Sequence, residues 1–246
     1  MRSPFRRNDP ALPDTLTIGE RVVPVLIVRH PRTRRLTLRA DAIGGVIRIT
    51  VPARARLADA QALLDAHRGW IAARVAAWPW PLPLVPEARV PFDGGELQLD
   101  WSPQYPRGVM RDGATLRLGG SAATVPGRTL RWLRAEALHS LELPTRALAT
   151  RLDRPLARVA VRDPAARWGS CTGGSAPAIG YSWRLILAPE WVRHSVVAHE
   201  AAHLVHPNHG TAFWQLATEL NGGDPAPARA WLAKHGAALH WVGRGG

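Results

Sequence analysis

From Leu16 to Val51 apolar and polar positions alternate, in "VPVLIVRH", "RRLTLRA" and "GVIRITV". A period of two places successive side chains on opposite faces of an extended chain. These runs therefore predict antiparallel strands, punctuated by Gly44-Gly45 and ended at Pro52. The period then changes. Leu57, Leu64, Ile71 and Val75, with Leu63 and His67, fall on one stripe and predict a single amphipathic helix from about Leu57 to Trp78. "WPWPLPLVPEARVP" has too many prolines for a helix interior or a central strand and reads as a surface connector. Beyond it, "VPFDGGELQLDW" predicts a hairpin turning at Asp93-Gly94-Gly95, and "ATLRLGG" a further strand.

Thr129 to Leu152 has the next helical period, with Pro144 expected to kink or break it. "ARVAVRD" and "APAIGYSWRLIL" read as strands. Pro189 suits the first turn of a helix running to about Val205, and two shorter helices follow near Thr211–Leu220 and Pro225–His235. No internal repeat or low-complexity tract is visible. Strands, a helix, more strands and then mixed elements indicate an α+β fold. The expected division is a flexible N-terminus at 1–14, a strand-rich region at 15–128 with one helix and the proline-rich connector, and a domain at 129–246. In that last domain the helix opened by Pro189 packs on a sheet.

Composition narrows the setting. No run approaches eighteen apolar residues, and the N-terminus lacks an apolar signal core, so neither a membrane span nor export is expected. Cys171 is the only cysteine, which excludes an intramolecular disulfide and fits a reducing, cytoplasmic setting. The formal charge is +13, and every basic residue except Lys234 is arginine. Such a balance favours anionic partners, nucleotides and nucleic acid among them. Arginines spread along an alanine-rich chain also fit the imprint of a GC-rich genome. Both readings stay open.

The chemistry concentrates in "VVAHEAAHLVHPNHGTAFW", where His199, His203, His206 and His209 stand within eleven residues. His199 and His203 are one helical turn apart and project from one face, with Glu200 adjacent. H-E-x-x-H is the spacing of zinc hydrolases: two nitrogen ligands on one side and a carboxylate beside the water that the metal activates. A catalytic zinc needs a third protein ligand, for which His206, His209, Glu219 and Asp224 are available. His206 would crowd the ion at the helix end. His209 follows the Pro207-Asn208 break with the spacing H-E-x-x-H-x5-H and is the favoured ligand; Glu219 is the rival. Unlike metzincins, the chain has His206 at the glycine position and no downstream methionine. The plain alternative is that these are core and capping histidines, but a buried Glu200 would then lack compensation.

"RWGSC" (167–171), "IGYSWRLILAP" (179–189), "VVAHEAAHL" and "NHGTAFW" (208–214) stand in the order found in YgjP-like metallopeptidase domains, relatives of the SprT-like and WLM zincins. "RRLTLRADAIGGVIRITVP" resembles the arginine-rich hairpin that opens those proteins. The resemblance implies a small zincin-like (minigluzincin-like) catalytic domain behind an N-terminal strand module. It implies one Zn2+ on His199, His203 and His209, with Glu200 as general base. Three departures stand out: Glu200-Ala201-Ala202-His203 where the family commonly has Glu-Leu-Ala-His, Ser182 for an Asn, and Gly210 for a Ser.

The leading expectation is thus a zinc metallopeptidase acting on peptides or proteins. The strand around Tyr181 to Leu185 is expected to align substrate by backbone pairing, and Tyr181, Arg184 and His206 are candidates to stabilise the oxyanion. Gly169-Ser170 is expected to form a tight turn, with Trp168 and Cys171 packing under the metal helix. Arg167 either belongs to that packing or holds a substrate phosphate or carboxylate. Two alternatives keep the site. One is nucleoside triphosphate pyrophosphohydrolase activity, particularly on UTP; the other is a SprT-like protease acting on nucleic-acid-bound targets. Trp70, Trp78, Trp80 and Trp101 are core residues or a stacking surface for bases.

Overall fold

The alternating run at residues 15–52 folds as four strands: β1 (Thr15–Ile18), β2 (Arg21–His30), β3 (Thr37–Asp41) and β4 (Val46–Pro52). The computed structural model describes residues 13–245, so the expected flexible N-terminus lies, for residues 1–12, outside the described residues. β1–β2 and β3–β4 are antiparallel hairpins, but β2 and β4 run parallel side by side, giving the order β1-β2-β4-β3. The sheet is therefore mixed, not purely antiparallel as expected. A period of two fixes the face of each side chain and carries no information about which strand lies next door.

Ile47, Ile49 and Val51 of β4 are buried, as are Leu57, Ala60, Leu64, Ile71 and Val75 of the helical segment. That segment is two helices, α1 (Leu57–Ala66) and α2 (Arg68–Ala76), not one. His67 interrupts them at φ −113°, ψ 15°, and its Nδ1 lies 2.9 Å from the Leu63 carbonyl. The break preserves the phase of the apolar stripe, so periodicity runs through it unmarked.

The chain divides into two compact units, Met1–Pro79 and Trp80–Gly246. The second begins with β5 (Arg89–Phe92), β6 (Gly95–Trp101), β7 (Val109–Asp112) and β8 (Thr115–Leu118). The expected hairpin turn is present: Asp93 and Gly94 both have positive φ, 53° and 79°, the conformation a two-residue hairpin loop demands. The order β5-β6-β8-β7, with β6 and β8 parallel, reproduces the topology of the first sheet. This recurrence of form has no counterpart as a repeat in sequence.

α3 (Val125–Arg151) follows and runs through Pro144 without a break. Next come β9 (Arg158–Arg162), β10 (Gly169–Thr172) and β11 (Ala178–Ser182), a 3-10 turn at Trp183–Leu187, and then α4 (Glu190–Ala202), α5 (Thr211–Asn221) and α6 (Ala226–Leu239). Leu97, Leu99, Leu116 and Leu118 of the second sheet share one core with Leu133 and Leu141 of α3, Ile179 and Tyr181 of β11, and Val192 and Val197 of α4. The boundary expected at 128/129 runs through this core. The hairpin turn is also tied to α4: Arg193, buried, donates to Asp93 at 2.7 Å and to the Ala188 carbonyl at 2.8 Å.

Of the four tryptophans considered as a stacking surface, Trp78 is core, and Trp101 donates its indole N–H to the Gly120 carbonyl at 2.9 Å. Trp70 and Trp80 are exposed, one in each unit. Among the described residues no helix is long and apolar enough to cross a membrane.

Candidate metal centre

α4 is set up by the sequence around it. Pro189, extended at φ −55° and ψ 150°, is the residue just before the first helical turn. Ala198, Ala201 and Ala202 are small enough for α5 to pack closely through Phe213, Ala217 and Leu220. The helix ends at Ala202, about three residues earlier than periodicity suggests. Beyond it the backbone tightens, with Leu204 N–H donating to Ala201 O and Val205 N–H to Ala202 O, the i to i−3 bonding common in a last turn.

That tightening shapes the site. His203 lies at the helix end, and its Nδ1 donates to the His206 carbonyl at 3.0 Å. The bond fixes the ring's tautomer and leaves Nε2 as an acceptor, the arrangement in which ligating histidines are usually held. His209, on the loop between α4 and α5, folds back until its Nε2 is 3.1 Å from Nε2 of His199. Ring centroids are 5.0 Å apart for His199–His203, 5.0 Å for His199–His209 and 4.6 Å for His203–His209. One nitrogen from each ring lies within 4.8 Å of the other two.

Phe213, wholly buried, lies against all three rings at 4.5–4.9 Å. Trp214 packs on His199 and His209 at 5.8 and 5.7 Å. Burial, then the charges of His203, His209 and Arg229, lower the His199 pKa to about 4. Burial likewise lowers that of His203, against the opposing pull of the His206 carbonyl. Both imidazoles are therefore neutral at neutral pH with lone pairs available.

Zinc fits this donor set. Two nitrogens held at about 2.0–2.1 Å by one tetrahedral ion stand about 3.3 Å apart, close to the spacing of His199 and His209. Glu200 supplies the second test. Its residue is only 5% exposed, and among the described residues its carboxylate makes neither a hydrogen bond nor an ion pair. Burial pushes its pKa up to about 7, with the Arg167 charge opposing. A desolvated carboxylate with no partner of its own is costly in a core and is explicable beside a cation.

The YgjP-like metallopeptidase-domain family matches residues 34–235. The chain belongs to this family. No curated protein and no solved structure matches the chain. The matched stretch of the YgjP-like chain begins before β3 and ends within α6, so it takes in parts of both compact units.

Two residues proposed for substrate binding are placed elsewhere in this YgjP-like fold. Tyr181 is 1% exposed and its hydroxyl donates to Thr145 Oγ1 at 3.0 Å, while Thr145 itself donates to the Leu141 carbonyl at 2.6 Å. Arg184 is 9% exposed. Its guanidinium is spent on Asp163 at 2.8 and 3.3 Å and on the carbonyls of Leu239 and Val242 at 2.6 and 3.0 Å. Both hold the fold together. The strand expected to align substrate is also corrected: β11 stops at Ser182, Trp183–Leu187 is a 3-10 turn, and β11 is flanked on both sides by β10 and β9. The edge strands are β9 and β10, and β10 includes Gly169-Ser170, expected to be a tight turn.

Other candidates resolve simply. Glu219 pairs with Arg151 at 2.6 Å, and Asp224 accepts from the Ala226 N–H at 2.8 Å; neither joins the three histidines. His206 contributes its carbonyl. Burial and the Glu200 charge push the Cys171 thiol up to about 11, so it is a neutral thiol at neutral pH. Trp168 packs on α6, where a Cβ at Gly236 would stand 2.7 Å from its ring.

The sequence reading missed Gly169. A Cβ there would lie 2.4 Å from a Glu200 carboxylate oxygen and 2.6 Å from its Cδ and Cγ. β10 thus seats Glu200 directly against its backbone. A glycine inside a strand is the signal that marks such an approach. Gly169→Ala should displace Glu200 while leaving the histidines in place. The expected result is a loss of hydrolysis of about 10- to 100-fold, the scale of a 1 Å misplacement, with zinc content unchanged; paired kinetics and metal analysis check it.

Proposed function

We propose that the chain is a zinc-dependent metallopeptidase in which His199, His203 and His209 hold one zinc ion and Glu200 is the general base. The observation that supports this reading best is the partnerless, buried Glu200 beside three converging imidazoles, two of them held neutral. When bound, the metal would polarise the scissile carbonyl and make a water acidic. Glu200 takes the proton of the attacking water on a carboxylate oxygen and delivers it to the leaving amine nitrogen. A carboxylate held beside the attacking water can serve both halves of that transfer, as base and then as acid. β10, with a strand neighbour on one side only, offers free backbone groups to an extended peptide next to Glu200. The family match carries the peptide reading and lends nothing to the nucleotide or nucleic-acid alternatives.

The deciding experiment is metal analysis of protein purified without a histidine tag, alongside casein cleavage. The expected result is about one zinc per chain, with cleavage abolished by 1,10-phenanthroline and restored by added zinc. A protein that takes up no zinc on titration overturns the reading.

A further inference from the structure

Beside the histidines lies a cavity of about 240 Å3, enclosed by the start of β10, by α4 and by α6. Trp168, Val196 and Leu232 give it an apolar lining, and His199 and Glu200 form its end at the metal centre. It is smaller than the clefts of about 300–1,000 Å3 that hold drug-sized ligands. One amino-acid side chain fits that space better than a nucleoside with its phosphates.

Two guanidiniums border this cavity, those of Arg167 and Arg229. Neither makes an ion pair or a hydrogen bond among the described residues. Nearby arginines are committed: Arg184 to Asp163, Arg193 to Asp93 and Arg151 to Glu219. Arg229 is nonetheless positioned, its guanidinium 4.7 Å from the centre of the Trp214 ring. Stacking of this kind holds the cation by its face and leaves its N–H donors in the plane unspent. Arg167 lines the cavity together with Glu200, at the end nearest the histidines. An apolar cup next to the reacting centre, bordered by two cations with free donors, is complementary to an apolar side chain with a carboxylate close by.

We propose that this cavity seats a residue flanking the scissile bond, an apolar side chain accompanied by a substrate carboxylate that Arg167 and Arg229 hold. The proposal rests on the metallopeptidase reading. The carboxylate has two sources, the free C-terminus of that residue or the side chain of an acidic residue next to it.

The test reads binding by calorimetry to the zinc-loaded Glu200→Gln variant, so that it does not depend on turnover. Four peptides of one sequence are compared: free acid against C-terminal amide, and Glu against Gln after the apolar residue. A carboxylate-bearing peptide should bind about 10-fold more tightly than its neutral counterpart, the discounted value of a charge-assisted contact at a partly exposed site. In the Arg167→Gln/Arg229→Gln background the ratio should fall to about twofold or less, and the corresponding Lys/Lys variant should recover part of it. Preference for acid over amide identifies the C-terminus as the source; preference for Glu over Gln identifies a side chain. Equal binding of all four peptides, or a preference that survives in the Gln/Gln background, overturns the proposal. Zinc content and casein cleavage are read separately on the wild type. Absence of casein cleavage with carboxylate-dependent binding intact would sink the peptidase reading alone, and a cleaving enzyme indifferent to the carboxylate would sink the subsite alone.

Discussion

Glu200→Gln is expected to lower peptide hydrolysis by about 100- to 10,000-fold, the range lost with a positioned general base, and to stabilise the metal-free protein at alkaline pH. The second effect follows from burial. The carboxyl titrates near 7 in the fold against an ordinary 4.5. A group whose folded pKa is raised favours the fold fully below its unfolded pKa and loses that advantage as pH rises through the folded value. At pH 8 ionised Glu200 therefore costs the metal-free fold about 3 kcal/mol relative to the unfolded chain. Glutamine carries no charge and escapes that cost. Urea unfolding of chelated wild type and variant should show the variant ahead by about that amount at pH 8, with the gap closing near pH 5. A variant that is inactive and less stable at both values would make Glu200 a structural residue.

His209→Ala should cost zinc affinity by more than about 100-fold, since removing even the hydrogen-bond partner of a metal ligand costs about 10- to 100-fold. The side chain belongs to an exposed loop residue, so the metal-free fold should change by no more than about 1 kcal/mol. That separates metal loss from misfolding. Two substitutions serve as contrasts. His206→Ala leaves in place the backbone carbonyl that orients His203, and Glu219→Ala removes only an exposed ion pair with Arg151. Both should keep zinc at the wild-type level in a competition titration against a chelator of known affinity. Zinc retained by the His209 variant and lost from the Glu219 variant would reverse the ligand assignment.

The candidate centre was legible because its parts are local. His199 and His203 share a face by helical geometry, and the Pro207-Asn208 break returns His209 towards them within ten residues. The substrate residues were not legible in the same way. "APAIGYSWRLIL" reads as a strand able to align substrate, yet Tyr181 to Ala188 are all buried. A largely apolar run is the mark of an element covered on both sides, and the polar tips of Tyr181 and Arg184 interrupt that pattern. Gly169 offered only the weak cue of a glycine in a short polar stretch, which reads equally as a turn.

The sequence by itself determined the α+β class, most of the helices and strands, and the placing of His199 and His203 on one helical face beside Glu200, since each depends on the direction in which neighbouring side chains leave a helix or strand. Tertiary structure alone decided that β2 lies parallel to β4, that β10 is the edge strand beside Glu200, and that Gly169 must lack a side chain. It also decided which guanidiniums near the centre are spent in the core and which two remain free. Periodicity fixes where a side chain points along its own segment. What it meets there is set by segments up to a hundred residues away, as Asp93 and Arg193 illustrate.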